Sequence, residues 1–380
     1  MKLLFFTGAR SEWGYIRPIL ELCKKKKIKF NLSVSNTHLL NNFGYSKSDI
    51  IKDGFKIDDE IFMTLDGYND VTMAKSLAIF GQSFSDLLNR VRPDWVVLAG
   101  DRGETFMASV ISAYMNIPIA HIQAGELSGN IDGQARHAIG KFAHLHFASN
   151  IDAAKRLEKL GEQKFRIQNL GAPQLDDMQN TQKILIAQKK LEKKFVEISK
   201  INYALCIFHP VVEEYQRTKK NYSILHNFLK KHVKFRIWIS PNSDSGSNII
   251  KDSFNKLRDS NDLLIDNLPR FEYISLLKNC DFIIGNSSSG IIESASFKKP
   301  CINIGRRQKN RFSVRNVVNV EVINYRNLLK SFKIIKNKKF LSALKTVKNP
   351  YGDGNSAKKI LNKILSTKIN AKLINKMLTY

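Results

Sequence analysis

Asp94-Trp-Val-Val-Leu-Ala-Gly-Asp-Arg-Gly-Glu104 is the stretch on which the fold turns. Residues 95–99 are apolar with no polar alternation, so a strand here is buried on both faces, the mark of a parallel sheet. Gly100 ends the run, and Asp101, Arg102 and Glu104 follow directly, at the head of a helix-period segment Glu104–Tyr114. The same order repeats outward from this point. Leu3–Thr7, Phe30–Ser35, Ile117–Ile122 and His144–Ser149 read as further strands, with helical stretches Ile16–Lys26, Met73–Val91 and Ala135–Phe142 between them. A second series follows in Tyr203–Phe208, Phe235–Ser240, Leu263–Ile265, Asp281–Gly285 and Cys301–Ile304, with helices at Phe271–Lys278 and Gly290–Phe297. Strand–helix alternation predicts the α/β class, and two series predict two Rossmann-like doubly wound domains. The polar stretch near 171–200, with Gly171, Pro173 and a Lys/Gln-rich helix, is the expected linker. That puts an N-terminal domain over 1–175 and a second over 176–354. Ligands of open α/β sheets bind beyond the carboxyl ends of the strands, and a cleft between two domains is the default active site.

The 380 residues agree with two domains at about 150 residues each. A hydrophobic fraction of 43% supports real cores and, with 25% charged residues, excludes a disordered chain, a collagen or a disulfide scaffold. Lys and Arg number 61 against 34 Asp and Glu, a net charge of +27. The lysines, including Lys24–Lys27, are spread along a chain also rich in Asn and Ile. They read as a solvated basic surface, or as a field that recruits an anionic small molecule. A nucleic-acid-binding face would need lysines on one side with interleaved aromatics, and no such stripe stands out. Cys23, Cys206, Cys280 and Cys301 are far apart in sequence and three lie in or beside apolar runs, which suits reduced, packed thiols in a reducing cytoplasm. No run of 18 apolar residues suggests a membrane span, and Leu3–Phe6 is too short for a signal-peptide core.

Polar clusters follow the strands. Thr7-Gly-Ala-Arg-Ser-Glu-Trp-Gly14 forms a strand–helix turn that lacks the Gly-x-Gly-x-x-Gly spacing of a nicotinamide site. Asp101 is either a general base or the partner of Arg102. His121 through His137 gathers Gln123, Glu126, Asp132, Arg136 and His137, titratable groups of the kind acid–base chemistry needs on both faces of a substrate. His144 and His146 form a His-x-His with no evident carboxylate partner, so a core role outweighs metal ligation. His209 leaves a strand ahead of Pro210. Ser287, Ser288, Ser289 and Gly290 open a helix and suit a phosphate, with Glu293 one turn on. Arg306, Arg307 and Arg311 follow the next strand, and guanidinium groups pair well with phosphates.

Eight motifs in order make the set recognisable. They are Thr-Gly-x-Arg at 7–10, Gly-Asp-Arg-x-Glu at 100–104, His-Ile-x-x-Gly-Glu at 121–126 and Arg-His-x-Ile-x-Lys at 136–141. Phe-His-Pro at 208–210, Pro-Asn-x-Asp-x-Gly at 241–246, Gly-Asn-Ser-Ser-Ser-Gly-Ile-Ile-Glu at 285–293 and Asn-Ile-Gly-x-Arg-Gln at 303–308 complete it. From residue 1 to about 360 the chain resembles the hydrolysing UDP-N-acetylglucosamine 2-epimerases, which make N-acetylmannosamine or a diacetamido trideoxy relative for sialic or legionaminic acid synthesis. The resemblance implies a glycosyltransferase-B-like pair of domains around an interdomain cleft, with the C-terminal helix 355–380 completing the first. It further implies a cytoplasmic homodimer or homotetramer, a UDP-sugar substrate, and no cofactor, metal, nucleic-acid or membrane partner. The implied chemistry is anti elimination of UDP to a 2-acetamidoglucal, then hydration. By motif position, Asp101, Asp132 and Glu126 are acid–base candidates, and His209 contacts the diphosphate or helps the leaving group. Arg10, Ser287, Ser288, Ser289, Gly290, Arg307 and Arg311 fall to the phosphates, Glu293 to ribose and Phe271 to uracil. Gln123, Arg136, His137 and Asn242 complete the substrate contacts. Many members carry Glu or His where this chain has Gln123, and an amide cannot exchange a proton near neutral pH. N-acetylglucosamine and a 2,4-diacetamido-2,4,6-trideoxyhexose are both open as the sugar. A glycosyltransferase of the same fold class is the rival, opposed by the acid–base cluster at 121–137.

Overall fold

The computed structural model describes residues 1–41, 45–66, 70–128, 131–195, 202–241, 246–266 and 268–379. The chain divides into two compact units. One comprises Met1–Leu127, Ile131–Asp176 and Tyr351–Tyr380, and the other is built on Asp177–Pro350.

The first unit holds a seven-stranded, wholly parallel sheet. Its strands are β1 (Lys2–Thr7), β2 (Lys29–Ser35), β3 (Asp59–Ile61), β4 (Trp95–Ala99), β5 (Ile119–Ala124), β6 (Leu145–Ala148) and β7 (Ile167–Asn169). They lie in the order β3-β2-β1-β4-β5-β6-β7. The apolar runs are explained by what covers them. Leu3 and Phe5 of β1, with Trp95 and Val97 of β4, join one core beside helices Arg10–Lys25 and Ser356–Ser366. Leu4, Phe6, Val96 and Leu98 face the opposite core against Phe80, Phe84 and Leu88 of helix Asp70–Val91. Each such residue contributes about 1.5–3 kcal/mol on burial.

The returning C-terminal segment is tied in by specific bonds. Asp176 accepts the amides of Ser356 at 2.9 Å and Ala357 at 2.8 Å, capping helix Ser356–Ser366 from a residue 180 positions away. The capped helix sends Ile360, Leu361 and Ile364 into the β1 core.

The second unit repeats the plan with β8 (Ala204–Ile207), β9 (Arg236–Ile239), β10 (Asp262–Ile265), β11 (Phe282–Gly285), β12 (Cys301–Ile304) and β13 (Val317–Val320). Their order is β10-β9-β8-β11-β12-β13, again all parallel. Both sheets therefore reverse direction beside their first strand, at β1/β4 and at β8/β11, and each reversal opens a crevice at the strands' carboxyl ends. All four cysteines are buried and unbridged. Among the described residues, no helix is long and apolar enough to cross a membrane.

Three expectations need correction. Strands β3, β7 and β13 are not visible in the sequence, because each has three or four residues and is only partly buried at or near a sheet edge. The helix expected over 290–297 is a single turn, Ser289–Ile292, followed by a 3₁₀ turn, Ser294–Phe297. His146 does have a carboxylate partner, Glu162, at 2.9 Å.

Candidate active site

Each switch point carries a built cluster. In the first unit the turn after β1 folds back on itself. The amides of Gly8 and Ala9 donate to Oε2 of Glu12 at 2.6 and 3.2 Å, and Thr105 donates to its Oε1 at 2.8 Å. Glu12 is 1% exposed. Burial, with the neighbouring Glu104 adding to it, pushes its carboxyl up to about 8 against the pull of Arg102. Glu104 is buried too, accepting from Asn36 at 2.7 Å and Arg102 at 3.1 Å. A Cβ on Gly8 would stand 2.3 Å from Oε1 of Glu104, so a larger residue there would have to displace the Glu104 side chain.

Asp101, the first charged residue after β4, does not pair with Arg102. The guanidinium of Arg136 grips Asp101 through Nη2 and donates from Nη1 to the carbonyl of Gln123 at 2.8 Å. Arg136 is 4% exposed and arrives from helix Ile131–Phe142, so one buried side chain ties the ends of β4 and β5 to that helix. Gln123 interrupts the β5–β6 register as a bulge, and its φ of +66° is unusual for a residue with a side chain. It is 1% exposed, and its Oε1 meets no hydrogen-bond partner among the described residues, while its amide nitrogen reaches Gln174 at 3.3 Å. Glu126 is buried beside Asn150, which donates to it at 2.5 Å. Asp132 occupies the first turn of helix Ile131–Phe142 and is half-buried. His137, also half-buried, is lowered from its ordinary pKa by desolvation and then by Arg136. His121 donates from Nε2 to the Gly100 carbonyl at 2.7 Å, and burial holds its pKa down at about 3. Arg10 is exposed, with its Nε 3.9 Å from Asp49.

In the second unit Asn286, directly after β11, clamps the exit of β8. Its Oδ1 accepts the His209 amide at 2.7 Å and its Nδ2 donates to the His209 carbonyl at 2.7 Å. Arg307 and Gln308 donate to the Asn286 carbonyl at 3.2 and 3.3 Å. His209, Pro210, Asn286, Gly305 and Arg306 line a shallow open depression. Gly285 is indispensable to this turn: its φ is +142°, and a Cβ would sit 1.8 Å from the Ile207 carbonyl oxygen. Ser287 accepts the Ser289 amide at 3.4 Å, Ser288 precedes the short helix, and Gly290 packs against Cys301. The Ser289 hydroxyl turns inward, to Glu293 at 2.7 Å and to Tyr273. Glu293 in turn pairs with Arg270 at 2.8 Å. Lys183 lies over the Phe271 ring at 5.1 Å, and Arg311 donates to Gln308 at 2.9 Å. Asn242 lies outside the described residues.

Glu12, Glu104, Asn286 and Arg270 had not been singled out as site residues. The first three stand inside the strand-end motifs, and their acceptor or clamp geometry required the fold. Arg270 carries no sequence signal of its own. Among the described residues, no group of three His, Cys, Asp or Glu side chains is disposed to hold a metal ion.

Two Rossmann-type units, with polar residues gathered at both switch points, define the glycosyltransferase-B-like class. A family model described as UDP-N-acetylglucosamine 2-epimerase matches residues 20–365, and the chain belongs to that family. It is 32% identical over 388 residues to the UDP-N,N'-diacetylbacillosamine 2-epimerase (hydrolyzing) of Legionella pneumophila, covering 100% of this chain and 99% of that one. The GDP/UDP-N,N'-diacetylbacillosamine 2-epimerase (hydrolyzing) of Campylobacter jejuni is 34% identical over 349 residues, 89% of this chain and 88% of the relative. In fold, the UDP-GlcNAc 2-epimerase of Neisseria meningitidis bound to UDP-GlcNAc matches with a TM-score of 0.84 at 21% identity, covering 97% of this chain and 100% of that one.

Proposed function

We propose that this chain is a hydrolysing 2-epimerase of a UDP-linked 2-acetamido sugar, and that the sugar is a 2,4-diacetamido-2,4,6-trideoxyhexose. The motifs alone put N-acetylglucosamine first. Two curated relatives above 30% identity carry diacetylbacillosamine in their names, and this reverses the preference. N,N'-diacetylbacillosamine is such a trideoxy sugar.

The observation that carries the reading is the Asp101–Arg136–Gln123 arrangement at the β1/β4 switch point. C2–H is a weak carbon acid, and its removal is feasible when the C1 diphosphate departs in concert. A carboxylate fixed by a buried guanidinium presents one oxygen in a set direction, which is what proton abstraction from carbon requires. Asp101 takes the C2 proton as UDP leaves C1, giving the 2-acetamidoglucal. Water then adds at C1, and a second acid, Glu126 or Asp132, returns a proton to C2 from the other face. In the second unit, the backbone around Ser287–Gly290 with Arg307 and Arg311 meets the diphosphate, while His209 stands at the same switch point to help the leaving group. Glu293 is assigned to ribose and Phe271 to uracil. Preorganised donors of this kind are worth about 10²–10³ in rate each. The protein works as a homo-oligomer in the cytoplasm without a cofactor.

Incubation with each UDP-sugar and no acceptor tests this. Release of UDP with the manno-configured free sugar, faster from the diacetamido substrate, is expected. UDP retained until an acceptor is supplied would point to a transferase.

A further inference from the structure

Helix Ile131–Phe142 carries Asp132, Arg136 and His137, and its last turn ends in carbonyls that no later helical amide reaches. Nζ of Lys376 fills that place. It donates to the carbonyls of Gly140, Lys141 and Ala143 at 2.5, 3.0 and 2.9 Å. The same ammonium is 2.7 Å from Oε2 of Glu162, which is 1% exposed and also meets His146 at 2.9 Å and Lys141 at 3.2 Å. A cation at a helix C-terminus is where the helix dipole favours it. The segment bearing Lys376 is held along its length. Arg166 donates to the carbonyls of Leu373 at 2.7 Å and Lys372 at 3.0 Å, the Thr379 amide donates to Gly161 at 2.8 Å, and Leu373 is buried in the β1 core. Arg136 lies four residues before Gly140, about 6 Å along the helix axis at 1.5 Å per residue. A displacement at the capped end is therefore passed through Arg136 to Asp101 and Gln123.

We propose that residues 370–379 form a latch in which Lys376 is a positioning residue, fixing helix Ile131–Phe142 so that Asp101, Asp132 and Arg136 hold their places in the acid–base cluster. The proposal rests on the function assigned above, since it makes that cluster the reacting half. Its pH behaviour follows from what surrounds the ammonium: Glu162, Arg166, Lys141, His144 and His146. Burial lowers Lys376 to about 8 although Glu162 pulls it upward. Above that pH the cap loses its charge, whereas arginine would keep it.

Full-length Lys376→Met and Lys376→Arg test the latch by hydrogen exchange across 131–142 together with steady-state kinetics. Lys376→Met is expected to speed exchange in that helix and to lower kcat by about tenfold to a hundredfold, the cost of a small misplacement, with KM nearly unchanged. Lys376→Arg restores most of both, and its kcat holds above pH 8 where that of the wild type falls. An unchanged kcat in Lys376→Met, or a loss that only tracks the fraction of folded protein, overturns the proposal. Should Lys376→Met not fold, the pH profile of Lys376→Arg decides, and a profile identical to wild type overturns it. If the wild type releases UDP from neither sugar, the assigned function fails, and the exchange result alone judges the latch: unaltered protection in 131–142 refutes it.

Discussion

Arg136 pairs with Asp101, and Glu12 ties the loop after β1 through two backbone amides, so two carboxyls at one switch point are held in different ways. Asp101→Asn keeps the size and loses the acceptor charge. We expect kcat to fall by about 10²–10⁴ while nucleotide binding, measured by calorimetry with UDP, is nearly intact. Near-normal turnover would remove Asp101 from the reaction. Glu12 makes a pH prediction. Its folded pKa of about 8 is raised above the ordinary 4.5, so its contribution to stability is present below 4.5 and is lost as pH rises through 8. His38 and His121, held down at about 3 by burial, act the other way, costing stability as pH falls below about 6.5. The Glu12 effect is therefore cleanest between pH 6.5 and 8. Thermal melts of Glu12→Gln, a neutral mimic of the protonated acid, should lose the downward slope seen in the wild type over that window. Parallel slopes would show that Glu12 is ionised in the fold.

Strand ends decide what the elements do. Asn286 joins the exits of β8 and β11 by two hydrogen bonds to His209's backbone, while its own carbonyl receives Arg307 and Gln308. Asn286→Ala leaves two backbone groups unsatisfied, at about 1–3 kcal/mol each where they are buried. We expect lower thermal stability and UDP affinity weakened by about tenfold or more, with unchanged affinity contradicting a diphosphate role for this turn. Much of this level is legible in sequence. Runs such as Trp95–Ala99 are apolar because both faces meet a core, and polar residues after them can only lie at a sheet end. What escapes is short or nonlocal. Strands β3, β7 and β13 are brief and half-exposed, so no hydrophobic period marks them. The pairing of Asp101 with Arg136, 35 residues on, depends on where helix Ile131–Phe142 lands. The bulge at Gln123 leaves no trace in composition.

At the scale of the whole molecule, two sheets that share the order of their first six strands gather polar residues at equivalent places, and the chain carries a net charge of +27. If that charge steers the dianionic nucleotide, kcat/KM falls as salt rises from about 0.05 to 0.5 M, where the screening length shrinks severalfold. A flat dependence would make the lysines a solvated surface and nothing more. The central claim is that hydrogen is stripped from C2 as the diphosphate departs. Turnover of the UDP-linked 2,4-diacetamido trideoxy sugar in deuterated water, followed by NMR, addresses it directly. We predict one deuterium at C2 of a manno-configured product, appearing in step with free UDP. Product that keeps its C2 hydrogen would contradict the mechanism.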